Sequence, residues 1–519
     1  MGKSFRDWAT PRRVFAVTAI SYLSLAALAF FVFRPTTQLY ITDYWEHRAI
    51  VMEVIRHGIR LEDPIYAEGA SSRQFTPWSL LLGYLARWTG IGADGALAVG
   101  AFLASALLVA GVHAFARIYY ARPWAPAVLM AVLTCGWGLP PLIWTGFHSL
   151  RSQLHSNYYP ASFVFALTFV VWALAVHVLR GGRAAVMAAG TLTVLCAIAF
   201  ITHPLNAMFM LLGAAGLAVL ERGASMGRRV MVLASLAIGV LATTCWPWFD
   251  PLALGRAGAA RGQATFNNFP FFFHPLFVVG ELAPLWLVLF VLPAQFRDFR
   301  TRMPVIALGV ISAAFVVGGI LDVSVSHRFL AYVALALQLM LVWLILDRID
   351  GQAPAPLDRV TDTGWRVMGI AALALCTAQV ALAAQQLAMP WALADRPRPV
   401  RPVGKEAQAI AAWLPAQARV LGFDSAALVL PAFGVRVAAF PRPMPLSSSD
   451  GARQADYRRF FSLHTNTCER RAIAARWGVT HVVWLSHELP DWMARELARQ
   501  GTVVAPLAEW RVIRAPLSC

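Results

Sequence analysis

The chain has 519 residues, is 58% hydrophobic and 14% charged, and carries a formal net charge of +17. Its mean hydropathy of +0.59 excludes an ordinary soluble globular protein, which needs far more polar surface. The positive charge reads as the basic-loop bias of a membrane protein. It does not read as a nucleic-acid footprint, because no Lys/Arg-rich stripe interleaves with aromatics.

Apolar runs recur that are long enough to cross a hydrocarbon core of roughly 30 Å. They predict a polytopic α-helical membrane protein with eleven crossings: 14–33, 94–115, 124–144, 160–179, 184–202, 204–220, 229–247, 275–293, 304–321, 328–346 and 367–389. The first run is longer than the apolar part of a cleavable signal and no small-residue cleavage site follows, so it is read as a retained helix. Even-numbered crossings end in basic loops: Arg117 and Arg122; Arg180 and Arg183; Arg222, Arg228 and Arg229; Arg297, Arg300 and Arg302; Arg348 and Arg359. The amino terminus carries Lys3, Arg6, Arg12 and Arg13. These segments are expected in the cytoplasm, which puts the carboxyl terminus outside.

Residues 34–92 then form a long external loop. Within 43–57, Ile50, Val51, Val54 and Ile55 share one helical face opposite Glu46, Glu53 and His57, and Gly58 can close the helix. "TPWSLLLGYLARW" (76–88) predicts a second helix, too short to span, lying in the interface or re-entering, with Trp78, Tyr84 and Trp88 at that depth. Pro and Arg cluster in a linker at 390–402. Residues 403–519 alternate short strands ("ARVLGF", "VRVAAF", "THVVWLS", "EWRVIRA") with helices near 453–462, 468–477 and 490–500, which predicts a small external α/β domain. Cys135, Cys196, Cys245 and Cys376 lie in apolar helices and read as small core hydrophobes. Cys468 and Cys519 fall in the external domain, whose compartment permits a disulfide between them. No CxxC and no metal-ligand spacing occurs.

The polar residues worth weighing sit on the outer side. Asp43 and Glu46, in "ITDYWEHRAI", fit a capping box at a helix start, and they also fit a carboxylate held at the membrane surface as base or clamp. In "VSHRF" (325–329), His327 and Arg328 open a crossing after Asp322; they read as a snorkelling helix end or as a clamp for a phosphate. "HSLRSQLHSNYYP" (148–160) holds His148, Arg151, His155, Asn157, Tyr158 and Tyr159, a cluster suited either to sugar or phosphate contact or to an aqueous loop with interfacial tyrosines. His203, in "ITHPLNA", stands at an outer turn and reads more simply as structural. The aromatics of "WPWFDP" (246–251) and "FNNFPFFFHP" (266–275) suit interfacial anchoring or the guidance of a prenyl chain.

"TDYWEHRAIVMEVIRHG" and "QFTPWSLLLGYLARWTGIGADGALAVGAFLASALL" together give a loop acid just beyond the first crossing, two juxtamembrane helices and then the second crossing. This order resembles the GT-C class of membrane glycosyltransferases, which includes protein O-mannosyltransferases, oligosaccharyltransferases and the lipid A aminoarabinose transferase. The resemblance covers about residues 1–350 in architecture. It implies an inverting transfer from a polyprenyl-phosphate sugar to a hydroxyl of a cell-envelope glycan, lipid or protein, with Asp43 as the catalytic carboxylate. The class commonly pairs adjacent acids or D-x-D here; Asp43 and Glu46 depart from that spacing, which leaves open which acid is essential and whether a divalent cation takes part. The expected setting is a bacterial inner membrane with the active face outside, among membrane lipids and without nucleic acid. Two other readings are weighed. An O-antigen ligase or polymerase relies on Arg and His in a large late external loop, and here 322–327 is very short. A lipid-linked sugar transporter or flippase favours internal repeats and ionisable midplane sites, whereas most charges here sit at the ends of crossings.

Overall fold

A computed structural model describes residues 10–32, 43–66, 72–139, 146–181, 183–252, 270–289, 302–321, 323, 326–351, 362–394, 403–441, 444, 447–507 and 510–515. Lys3, Arg6, Arg297, Arg300, Asp322, Arg359, Cys519 and the linker stretch 395–402 lie outside the described residues. In chain order the helices are α1 (Pro11–Val32), α2 (Asp43–His57), α3 (Pro77–Thr89), α4 (Gly92–Tyr119), α5 (Ala125–Cys135), α6 (Leu150–Ser156), α7 (Pro160–Leu179), α8 (Ala185–Thr202), α9 (Pro204–Leu220), α10 (Met226–Ala242), α11 (Pro275–Glu281), α12 (Arg302–Ile320), α13 (Phe329–Ile349) and α14 (Asp362–Ala394). There follow α15 (Val403–Trp413), β1 (Arg419–Gly422), α16 (Ser425–Val429), β2 (Arg436–Val437), α17 (Asp450–Phe460), α18 (Thr467–Arg476), β3 (His481–Leu485), α19 (Asp491–Gln500), β4 (Thr502–Leu507) and β5 (Trp510–Arg514).

Eight of the eleven expected crossings are helices long and apolar enough to cross a membrane. The other three are shorter among the described residues. α5 has 11 residues and ends before Gly136, α9 has 17 between Pro204 and Glu221, and α11 has 7. Pro284 follows α11 inside a short 3-10 turn and stops it from continuing.

The chain divides into two compact units, Met1–Phe31 with Gly100–Trp246 and Gly258–Met389, and Val32–Val99 with Pro247–Ala257 and Pro390–Cys519. The first is a helix bundle. Its close approaches are made at glycines: a Cβ on Gly213 of α9 would run into the Trp172 ring of α7, and one on Gly138 would run into the Gly280 carbonyl. At one end of the bundle Arg122 pairs with Asp347 (2.6 Å) and Asp350 (3.3 Å), and Arg180 pairs with Glu221 (2.8 Å) while donating to the Ile118 carbonyl. These contacts gather the carboxyl ends of α4, α7, α9 and α13, as the alternation of basic loops requires.

The second unit joins the loop helices to the α/β domain. Thr76 caps α3, its Oγ1 accepting from the Ser79 amide at 3.2 Å, and Gly90 closes the helix at φ +72°. The sheet has the order β2-β1-β3-β5-β4; β1 runs parallel to β2 and β3, and β5 is antiparallel to β3 and β4. Val482, Trp484, Ile513, Phe460 and Met493 fill one side of it. Ile65 and Tyr66, from the loop after α2, pack with Val437, Phe440 and Met444, and the Val437 amide donates to the Ile65 carbonyl at 2.9 Å. The loop after α2 therefore shares a core with the α/β domain.

Candidate functional site

In the second unit α2 begins at Asp43, which is half-buried. Glu46 lies one turn on, is buried, and its Oε2 accepts from Gln74 Nε2 at 3.2 Å. Two carboxylates at a helix start are favoured by the free amides and the positive end of the helix dipole. The helix is fixed along its length. Arg48 makes a forked contact with Asp94, 2.8 and 3.2 Å, and the Tyr44 hydroxyl donates to the same carboxylate. Among the described residues no group of three or more His, Cys, Asp or Glu could hold a metal ion.

The first unit gathers most of the other residues to which the sequence points. His203 stands between α8 and α9 and caps α9, its Nδ1 accepting from the Asn206 amide at 3.2 Å. Asn206 Nδ2 donates to the Ala161 carbonyl at 2.8 Å at the start of α7, and its Oδ1 accepts from the Tyr332 hydroxyl in the first turn of α13. Arg328 directly precedes α13 and His327 is fully buried beside it. Phe272 joins this corner to the 146–160 segment, its ring 5.0 Å from His327 and stacked 5.9 Å from Phe147. His148 is stacked on Phe165 at 3.5 Å and 9°. Its Nε2 is buried without a hydrogen-bond partner among the described residues. Burial, and secondarily the neighbouring His203, pushes its pKa down to about 3; burial alone pushes His155 down to about 4. Burial thus favours the neutral form of both rings, which can donate or accept hydrogen bonds.

Arg151 and His155 lie on α6, with the Tyr158 and Tyr159 rings 4.6 Å apart just after it. The short helix is pinned by the Tyr22 hydroxyl donating to Gln153, by Gln153 donating to the His148 carbonyl, and by Asn157 donating to Ser105 at 2.9 Å. The arrangement links His148, His203, His327 and Arg328 through Asn206, Tyr332 and Phe272. Of these connectors, Tyr332 is the one the sequence does not betray. An aromatic in the first turn of an apolar crossing carries no distinguishing signal until Asn206 is seen opposite it.

Beside Arg328 lies an apolar groove of about 850 Å³, lined from α9, α10, α12 and α13 by residues that include Leu212, Leu236, Val310, Ala314, Phe329 and Tyr332. Val310 is 50% and the neighbouring lining residue Leu241 64% exposed, so the groove opens sideways from the bundle. Its volume lies in the range of about 300–1,000 Å³ typical of pockets that enclose an organic ligand.

In fold, the helix bundle followed by a carboxyl-terminal α/β domain is similar to solved structures of GT-C glycosyltransferases. ArnT from Cupriavidus metallidurans bound to undecaprenyl phosphate is similar to the chain with a TM-score of 0.55 and 14% identity, over 95% of this chain and 97% of that one. The Archaeoglobus fulgidus oligosaccharyltransferase tethered to an acceptor peptide gives 0.53 and 13%, over 96% of this chain and 74% of that one. The arabinofuranosyltransferase AftD from Mycobacteria gives 0.54 and 14%, over 98% of this chain but 40% of that one. No protein-family model and no curated protein matches the sequence.

Proposed function

We propose that the protein is a membrane glycosyltransferase that takes a sugar from a polyprenyl-phosphate donor and passes it to a hydroxyl of a cell-envelope glycan, lipid or protein on the outer face of a bacterial inner membrane. The observation that carries this reading is the apolar groove, whose lining includes Phe329 and Tyr332, the residue next to Arg328 and one a turn further along α13. A guanidinium suits a phosphate because it forms forked, charge-assisted hydrogen bonds. The slot suits a prenyl tail by the apolar area it removes from water and by dispersion contacts.

In the proposed reaction the acceptor oxygen attacks the anomeric carbon opposite the phosphate, and the bond between that carbon and the phosphate oxygen breaks, so the configuration inverts. Asp43 takes the hydroxyl proton. The electron pair of the broken bond leaves on the phosphate, whose charge Arg328 and Arg151 offset. Glu46, held by Gln74, assists Asp43 electrostatically. His148, His155, His203, His327, Tyr158 and Tyr159 contribute neutral hydrogen bonding and ring surface for the sugar.

The test is binding of undecaprenyl phosphate to the purified protein, read by thermal shift and native mass spectrometry. Arg328→Ala is expected to weaken binding by about 10- to 100-fold, the scale of about 1.5–3 kcal/mol for a hydrogen bond to a charged group. Arg328→Lys should lose less, since it keeps the charge without the fork. Equal binding by wild type and Arg328→Ala would refute the clamp.

A further inference from the structure

The α/β domain touches the acid-bearing helix in a manner that suggests more than attachment. The loop from α16 to β2 runs along α2. The Phe433 ring lies 5.9 Å from the Trp45 ring and 4.3 Å beneath the Arg48 guanidinium. Arg48 Nη1 donates to the Ala432 carbonyl, and Arg56 Nη2 donates to the Phe433 carbonyl at 3.1 Å. Trp45, Arg48 and Arg56 recur at helical spacing on one side of α2, and Asp43 projects from the other. The approach is close enough that a Cβ on Gly434 would collide with Arg56 Nη1, and this glycine also sits at φ +84°, where a side chain is strained.

At the far end of the helix, Glu53 is almost wholly buried and accepts from Arg436 Nη2 of β2 at 3.1 Å. Its other oxygen meets the Glu62 amide at 3.0 Å and His57 Nδ1 at 2.7 Å. Arg436 Nη1 donates to the Asp63 carbonyl at 2.7 Å, so one guanidinium binds both the helix and the loop that follows it. The same loop supplies Tyr66, whose hydroxyl donates to Asp450 at 2.9 Å and accepts from the Phe440 amide at 3.1 Å. Helix α2 is therefore gripped at both ends and on one side by one segment of the domain.

We infer that the 430–437 segment of the α/β domain, through Arg436 on Glu53 and through the carbonyls it offers Arg48 and Arg56, is the positioning frame for Asp43, so that the domain belongs to the transfer apparatus. This rests on the reading of Asp43 as the catalytic carboxylate. Arg48 and Arg436 are positioning residues: they act through the setting of α2 and not on the sugar. A general base must lie within hydrogen-bond reach of the proton it takes, and a misplacement of about 1 Å can cost about 10²-fold in rate.

The experiment uses the full chain in a lipid nanodisc for amide hydrogen exchange. Activity is read in cells lacking the chromosomal copy, as the mass difference in envelope glycans that deletion removes. Arg436→Gln is expected to speed exchange in residues 43–57 by roughly tenfold, the scale of a coupling within one ion-pair network, and to reduce the glycan product, with β1, β3 and β5 still protected. Arg436→Lys should restore most of both signals. Arg48→Lys, whose neighbours leave the sheet untouched, should loosen α2 in the same direction if Arg436→Gln lowers the yield of folded protein. Unchanged exchange in α2 for both variants would overturn the frame. A loosened α2 with a full glycan product would overturn its role in transfer. Failure of the underlying reading has a different signature: Asp43→Asn with α2 protected and the glycan product intact.

Discussion

Asp43 and Glu46 occupy one helical turn but meet different surroundings. Glu46 is buried against Gln74, whereas Asp43 is half-open at the first position of α2. A side chain that must exchange a proton with a substrate needs that access. At this first helical position, one place beyond the cap, a carboxylate gains only the modest favour of the helix dipole; Asn keeps the shape and the hydrogen-bonding oxygen but cannot take a proton. Asp43→Asn should therefore leave folding nearly unchanged and lower transfer by about 10²-fold or more, the scale of losing a general base. Glu46→Gln, which keeps a hydrogen-bonding partner for Gln74, should be milder. Wild-type glycan product from Asp43→Asn, read by mass analysis, would leave Asp43 with a structural role at the start of α2 only. His148 gives a second prediction at this scale. The unfolded ring takes a proton near its ordinary value of 6.5 and the folded ring only near 3, because burial disfavours the charged form. More protons then bind the unfolded state between these values, so stability falls as pH drops through that window, by about 1.4 kcal/mol per pH unit for each such group. His155 adds a similar slope down to about 4. His148→Phe keeps a ring to stack on Phe165 and should reduce the slope without lowering stability at pH 7. A thermal-unfolding series from pH 4 to 8 with an unaltered slope would contradict this.

Elements that declare themselves by period or by a terminal residue are legible in the sequence, and those that depend on distant partners are not. The 43–57 helix follows from its apolar face and is found as Asp43–His57. The 160–179 crossing is found as Pro160–Leu179, bounded by Pro160 at its first position. The break of α5 after Cys135 is marked locally by Gly136, which caps it, and by Gly138, Pro140 and Pro141 beyond, but the apolar run that continues past them hides it; Gly138 approaches the Gly280 carbonyl, a contact no local pattern encodes. Strand β4 is equally hard to read because "TVVAPL" contains a Pro, which fits an edge strand only, and β4 is the edge of the sheet. The same holds for the site. The spacing of Asp43 and Glu46 is visible, but the Asn206–Tyr332 link and the ties of Arg48 and Arg436 join positions more than a hundred residues apart. The approach of α2 to α3 offers a direct test. A Cβ on Gly83 would lie 2.5 Å from Val54 Cβ, an atom next to the backbone that cannot swing aside. Gly83→Ala should force the two helices apart and cost about 1–3 kcal/mol, the usual scale of overpacking. It should also lower transfer, because α2 carries Asp43. An unshifted unfolding midpoint would show that the pair tolerates separation.

At the scale of the molecule, charge and apolar length argue for an orientation that the fold alone leaves open. The bundle's charged end, where Arg122 meets Asp347 and Asp350 and Arg180 meets Glu221, collects loops rich in arginine. Short loops with such an excess stay on the cytoplasmic side during insertion. His203 and Arg328 stand at the opposite ends of α9 and α13, so in this orientation both face outward. A lipid-phosphate donor presented there, away from cytoplasmic nucleotides, suits the proposed chemistry. The orientation can be read with paired reporters, one active only outside the membrane and one fluorescent only within the cytoplasm. Fused after Arg222, beyond the sixth expected crossing, the external reporter should be silent and the cytoplasmic one bright. Fused after Cys519 the pattern should reverse, because the α/β domain that holds α2 must share a side with Asp43. A bright cytoplasmic reporter at Cys519 would put Asp43 among nucleotide sugars and remove the reason for a prenyl-linked donor. It would then fall to the groove beside Arg328 to be explained without one.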